Sequence, residues 1–216
     1  MRHLTILRSP PYSVAVISLC GCTYGFYAQT FGVPNMYAVR GDIEISTPDR
    51  GTLVGSIGSN TLPGWQFYEI EFRSKGKKGR GLVVFNSEPK SPLDWDEPDW
   101  KGRAFSVALP PGEYEFYRMH LGAKWTGILN AEISLPFRVE RDQVVYVGEL
   151  KWSQTQHEVG LRKAVMLDHP PSFSISDRAA RDVPVIREMN PKIEGHPLRI
   201  EIPSVPTVVW VGGSAP

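Results

Sequence analysis

The run Leu109-Pro110-Pro111-Gly112-Glu113-Tyr114-Glu115-Phe116-Tyr117 constrains this chain more than any other stretch. Two consecutive prolines cannot donate to a ladder and Gly112 accepts positive φ, so the run reads as strand, tight turn, strand. Apolar alternation on either side then sets which face of each strand is buried. The same two-residue period recurs along the chain. Ile43 and Ile45 alternate with Asp42 and Glu44, and Tyr68, Ile70 and Phe72 with Glu69, Glu71 and Arg73. Phe105, Val107 and Leu109 alternate with Ala104, Ser106 and Ala108. Ile133, Leu135, Phe137 and Val139 alternate with Glu132, Ser134 and Arg138. One packed face and one wet face is the antiparallel arrangement.

Breaks in the period carry information too. Tyr114 and Phe116 share one face, whereas Tyr117, Met119 and Leu121 share the other, which predicts a bulge or burial on both faces at Phe116-Tyr117. Pro136 predicts an edge or a bulge in its strand. Val144, Tyr146, Leu150 and Trp152, with Val145 and Val147 opposite, predict a central strand. Leu198, Ile200 and Ile202 predict a late strand, and Val205 to Val211 a last one. Between these, residues 174–190 place Ile175, Ala179, Val183 and Ile186 at helical spacing. Ser174 or Ser176 is the expected cap, Pro191 the stop, and Pro184 predicts two short helical pieces. The expected architecture is a mainly β, antiparallel β-sandwich over residues 37–212 with a short helical insertion near the C-terminus. With 20 Gly and 19 Pro among 216 residues, many turns between short strands are expected.

The N-terminus reads as a separate device. Arg2, His3 and Arg8 precede the apolar run Val14-Ala15-Val16-Ile17-Ser18-Leu19, in the order of a secretory signal. That run falls well short of the ~20 residues a transmembrane helix needs. Leu19-Cys20-Gly21-Cys22 follows and resembles the bacterial lipoprotein signal, in which the last cysteine is acylated and becomes the mature N-terminus. Residues 1–21 are then a lipoprotein signal peptide and residues 22–36 a lipidated tether. The chain has only two cysteines, Cys20 and Cys22, so no disulfide framework competes for them. Diacylation plus N-acylation (palmitate-type chains) at Cys22 meets the multi-chain requirement for stable anchoring. The resemblance to Gram-negative lipoproteins implies outer-membrane sorting, because Thr23 stands where the inner-membrane retention signal has Asp. An ordinary signal peptide, or a buried strand with two incidental cysteines, is the competing reading.

The segments Gly102 to Tyr117 (GRAFSVALPPGEYEFY) and Leu135 to Leu150 (LPFRVERDQVVYVGEL) resemble a group of bacterial lipoproteins. Their domain is similar to the transthyretin-like and carboxypeptidase-regulatory-like sandwiches, where a Leu-Pro-Pro-Gly-x-Tyr turn connects two core strands. The resemblance covers residues 40–150. It implies an accessory, adhesive or carrier domain, with no shared catalytic residues to transfer.

Motifs of chemistry are sparse. The sequence has no nucleophile elbow, phosphate-binding loop or dinucleotide fingerprint. A formal charge of +1 argues against a general nucleic-acid binder. His157-Glu158 begins like a zincin motif, but position 161 is Leu. The five histidines, His3, His120, His157, His169 and His196, lack metal spacing, and His120 reads as a hydrogen-bonded strand residue or else a ligand or base. Neither a metal nor a cofactor is expected.

Two loops remain. Asp94-Trp95-Asp96-Glu97-Pro98-Asp99-Trp100 brings four carboxylates and two tryptophans together. It reads as a solvated loop with its indoles folded back, as a stacking platform for a sugar or other apolar ligand face, or as an oxygen-rich Ca²⁺ loop without EF-hand spacing. Arg73, Lys75, Lys77, Lys78 and Arg80 read as a charged hairpin tip that blocks edge pairing, or as cations for an anionic membrane surface. The function expected is a non-enzymatic, outer-membrane-anchored envelope lipoprotein acting as an interaction or accessory module. Its expected partners are the lipid bilayer through acylated Cys22 and an envelope protein or glycan. The alternatives are a small-molecule or glycan-binding lipoprotein using Asp94 to Trp100, and an envelope hydrolase with a cryptic site.

Overall fold

The computed structural model describes residues 37–40, 49–60, 66–76, 79–86, 93–123, 127–159, 164–167 and 171–212. Cys22, the predicted signal and tether, the Ile43/Ile45 strand, Lys77, Lys78, His3, His169 and the side chain of His157 lie outside them. The described elements, in chain order, are β1 (Tyr37–Arg40), β2 (Gly51–Ser59), β3 (Gln66–Ser74), β4 (Arg80–Asn86), β5 (Trp95–Glu97), β6 (Trp100–Leu109) and β7 (Gly112–Ala123). Then come β8 (Gly127–Val139), β9 (Val144–Ser153), β10 (Gln156–Val159), β11 (Ala164–Leu167), β12 (Ser172–Ser176), α1 (Ala179–Met189), a 3₁₀ turn (Pro191–Ile193), β13 (Leu198–Ile200) and β14 (Trp210–Gly212).

The protein is mainly β, with two six-stranded sheets packed over a shared core. The first sheet has the order β1-β4-β3-β7-β8-β14 and is antiparallel throughout. The second has the order β12-β9-β2-β6-β5, with β13 also beside β9. The second sheet is mixed rather than purely antiparallel, since β9 runs parallel to both β2 and β13. A separate two-stranded ribbon, β10-β11, lies in the chain between β9 and β12.

The Pro110-Pro111 corner does not form a hairpin. It carries the chain from β6 in the second sheet to β7 in the first. The Tyr114 hydroxyl donates to the Pro110 carbonyl at 2.8 Å, so the tyrosine two residues after Gly112 ties the corner down. Burial pushes the Tyr114 phenol up to about 12, which keeps it a donor.

The period-2 faces meet at the core. Tyr68, Ile70, Phe72, Phe116, Leu135 and Phe137 of the first sheet face Leu53, Ile57, Phe105, Val107, Leu150 and Trp152 of the second. Tyr68 and Trp152 join the sheets with ring centroids 5.6 Å apart. Each such fully buried apolar side chain contributes about 1.5–3 kcal/mol relative to exposure.

The predicted bulge sits at Tyr117. The β3 pairing steps from Glu71↔Arg118 to Phe72↔Phe116, so Tyr117 is the extra residue, and Met119 and Leu121 return to the core face. Pro136 lies where β8 has β7 on one side and is beyond the β14 pairing, which ends at Ala131. Its missing N–H therefore costs no ladder bond. There the bare edge is covered by side chains: Glu201 accepts from the Arg138 N–H, and Arg199 donates to the Arg138 carbonyl.

The expected even-numbered face of β9 is split. Val144 and Tyr146 pack under α1, whereas Leu150 and Trp152 enter the main core. The switch falls between Tyr146 and Glu149, where β9 has one residue more than β2. Gly148 sits there with φ +104°, a conformation that residues with a Cβ rarely adopt.

The helical segment also differs from expectation. Ser174 and Ser176 belong to β12, and α1 is one helix that accommodates Pro184 in its interior. Asp177 accepts from the Ala179 N–H at 2.9 Å and so opens the helix. The predicted strand from Val205 shrinks to β14, because Pro203 and Pro206 remove donors from a segment that crosses between the sheets. Val205, Val208 and Trp210 of that crossing pack against the main core.

Candidate functional site

The acidic tryptophan stretch forms the β5–β6 hairpin at one edge of the second sheet. Its residues divide into those that hold it and those that face solvent. Asp94 accepts from the Ala104 N–H at 2.8 Å and stands 3.9 Å from Arg103 Nε. Asp96 pairs with Lys101 across the hairpin. Asp96, Glu97 and Asp99 are exposed at the tip.

Trp95 and Trp100 point inward, 8% and 2% exposed. Trp100 lies flat over Gly102, where a Cβ would approach the ring to 2.4 Å. The two indoles pack with Val54, Ala104, Tyr146 and Ile186 in a second apolar cluster between the sheet and α1. Arg181 of α1 covers them, its guanidinium carbon 4.5 Å from the Trp95 centroid and 5.3 Å from that of Trp100. Lys151 approaches Trp100 at 5.9 Å. The cation–π partners are thus supplied by the chain itself.

Arg181 is the hub of a buried polar cluster that the hairpin helps to wall. Its Nε donates to Asp182 Oδ1 at 2.7 Å and its Nη2 lies 2.8 Å from Glu149 Oε2. Asp182, fully buried, accepts from the Ser56 hydroxyl at 2.6 Å and the Tyr146 hydroxyl at 2.7 Å. Ser176 donates to Glu149 at 3.2 Å, and Tyr146 in turn accepts from the Arg178 N–H at 3.2 Å. Burial, with the hydrogen bond to Asp182 and its charge, drives the Tyr146 phenol far above its ordinary value. Burial lowers Arg181, but Asp182 and Glu149 outweigh it and raise the guanidinium. The contacts of Asp182 with Ser56 and Tyr146, and of Arg181 with Glu149, hold α1 to the sheet and compensate the buried charges.

Of Ser56, Tyr146, Glu149, Arg181 and Asp182, the sequence marks only Tyr146, and only as a position in the alternating central strand. One signal was present: Asp182 is an acid within the apolar face that Ala179, Val183 and Ile186 define. A carboxylate on the buried stripe of a helix calls for a partner on the opposing sheet.

His120 lies on the outer face of the first sheet. Its Nε2 is 2.9 Å from Glu71 Oε1, its Nδ1 contacts Asn130 Oδ1, and the Tyr117 hydroxyl donates to the other oxygen of Glu71. Burial disfavours the charged forms of both His120 and Glu71, but their contacts outweigh it. The hydrogen bonds from His120 and Tyr117, with the charges of His120 and Arg118, pull Glu71 down to about 2. Those with Glu71 and Asn130, with the charges of Glu71 and Glu69, raise His120. Both ring nitrogens of His120 are engaged in these contacts. His196 Nδ1 faces the Asp142 carbonyl at 2.9 Å. Among the described residues, no three His, Cys, Asp or Glu converge as a metal site would require. Also among the described residues, no helix is long and apolar enough to cross a membrane.

Comparison of the chain with models of known protein families finds no match, and comparison with curated proteins finds none either.

Proposed function

We propose that the protein is a lipid-anchored bacterial envelope lipoprotein whose β-sandwich serves as a non-enzymatic interaction or accessory module at the outer membrane. The observation that carries this reading is the Leu19-Cys20-Gly21-Cys22 sequence after a short apolar run led by Arg2 and Arg8. Acylated Cys22 holds the chain to the bilayer, and the sandwich is displayed beside it on the 22–36 tether. The disposition of the side chains supports a binding rather than a chemical role. His120 is engaged at both nitrogens, and the Arg181 cluster is consumed in fastening α1. The exposed carboxylates Asp96, Glu97 and Asp99 are the part of the hairpin offered to an envelope partner.

Cys22→Ser expressed in a Gram-negative host tests the reading. Wild type is expected to incorporate labelled fatty acid and to sediment with outer membranes, and the variant to do neither. Equal labelling and equal sedimentation of the two overturns it.

A further inference from the structure

The pairing register lines up cations that the sequence scatters. On the outer face of the first sheet, Arg40 stands opposite Arg80, Arg80 opposite Arg73, and Arg73 opposite Glu115. Lys75 continues the patch, with its N–H donating to the Glu113 carbonyl at the turn. Like charges placed directly opposite on neighbouring strands destabilise a sheet. Here two such pairs occur in one row. Arg80 is exposed, and the side chains of Arg73 and Lys75 are 55% and 41% exposed. Glu115 is the acid of the row, 2.6 Å from Arg73 and 3.8 Å from Lys75. Arg73 and Lys75 thus share one carboxylate and Arg80 is hydrogen-bonded to Tyr117, while Glu71 on the adjoining row is engaged by His120 and Tyr117. Other charges at the same end stand in pairs, Arg141 with Asp49 and Arg138 with Glu140.

Three exposed carboxylates stand at the other end. The β5–β6 tip with Asp96, Glu97 and Asp99 lies at the start of β6, whose far end leads through Pro110 to Glu113 beside Lys75. Ten residues of strand separate the two ends, roughly 33 Å.

We propose that the exposed Arg80–Arg73 pair, extended by Lys75, docks this end of the sandwich against the phosphate headgroups of an anionic bilayer. The choice of partner rests on the lipid-anchor reading, since an anchored domain meets that surface at high local concentration. The row sets its orientation: basic end to the membrane, acidic hairpin away from it.

The test uses the full chain carrying Cys22→Ser, so that acylation contributes nothing. Its sedimentation is compared between phosphatidylcholine vesicles and phosphatidylcholine–phosphatidylglycerol vesicles across a salt series. The expected result is a preference for the anionic vesicles that salt abolishes. Arg80→Gln, which leaves the Arg73–Glu115 pair in place, is expected to reduce that preference roughly fivefold. Arg73→Gln/Lys75→Gln/Arg80→Gln is expected to lose it by about a hundredfold. Arg187→Gln on α1 is expected to leave it unchanged. Equal binding to both vesicles, or an Arg80→Gln variant with wild-type preference, overturns the proposal. So does binding of soluble polyphosphate without vesicle preference. Vesicle preference in a chain whose Cys22 proves unacylated in cells supports the row while overturning the anchor.

Discussion

The guanidinium of Arg181 lies over the ring of Trp95, 4.5 Å from its centroid, and the same group reaches the buried carboxylate of Glu149 at 2.8 Å. One side chain thus connects the acidic hairpin, the central strand β9 and the only α-helix among the described residues.

Removing that side chain leaves Glu149, 4% exposed, and Asp182, fully buried, without their cation. Arg181→Ala is expected to cost about 3 kcal/mol, the lower end of what breaking a buried pair costs. Guanidinium unfolding checks the loss, and acrylamide quenching is expected to rise as the indoles of Trp95 and Trp100 are uncovered. An unchanged midpoint with unchanged quenching contradicts the assignment.

Gly148 carries the phase switch of β9. A Cβ there would lie 2.6 Å from Ile175 Cγ2 and 3.0 Å from the Ser176 carbonyl, at φ +104°. Gly148→Ala is expected to cost about 1–3 kcal/mol from backbone strain alone. The loss is read as a lowered midpoint with an unchanged denaturant slope.

Tyr114→Phe deletes the bond to the Pro110 carbonyl and nothing else from the core. A loss of about 1 kcal/mol is expected. A neutral result would mean the corner is held by its prolines alone.

The Glu71–His120 pair makes stability depend on pH at both ends. Glu71 is lowered from 4.5 to about 2, so its contribution is complete above pH 4.5 and is lost as pH falls towards 2. His120 is raised above 6.5, so its contribution is complete below pH 6.5 and is lost as pH rises through the raised value. The stability difference between wild type and Glu71→Gln is therefore expected to be greatest between pH 4.5 and 6.5. A difference independent of pH contradicts the pairing.

Strand faces were legible because the side-chain period of two survives wherever a sheet has one dry face. The phase break at Phe116-Tyr117 announced its bulge in the same way. At β9 both faces are buried, one under α1 and one in the core, so the even-numbered apolar set looked continuous across Gly148. Pro184 suggested two helical pieces, yet packing of Val183, Ile186 and Asp182 on the sheet carries a single helix through it. The Arg181 cluster was not legible. Ser56 and Asp182 are separated by 126 positions, and only the strand order brings them together. The tryptophans were recognised as a pair, but sequence does not reveal that a neighbouring helix supplies the cation on their faces.

Cys22 is the proposed point of attachment to the membrane. Intact-mass measurement of the mature protein purified from membranes is the most direct test. The expected species is a chain that begins at Cys22 and carries fatty acyl chains on it. A chain that retains Met1, or one that begins at Cys22 without acyl mass, contradicts it.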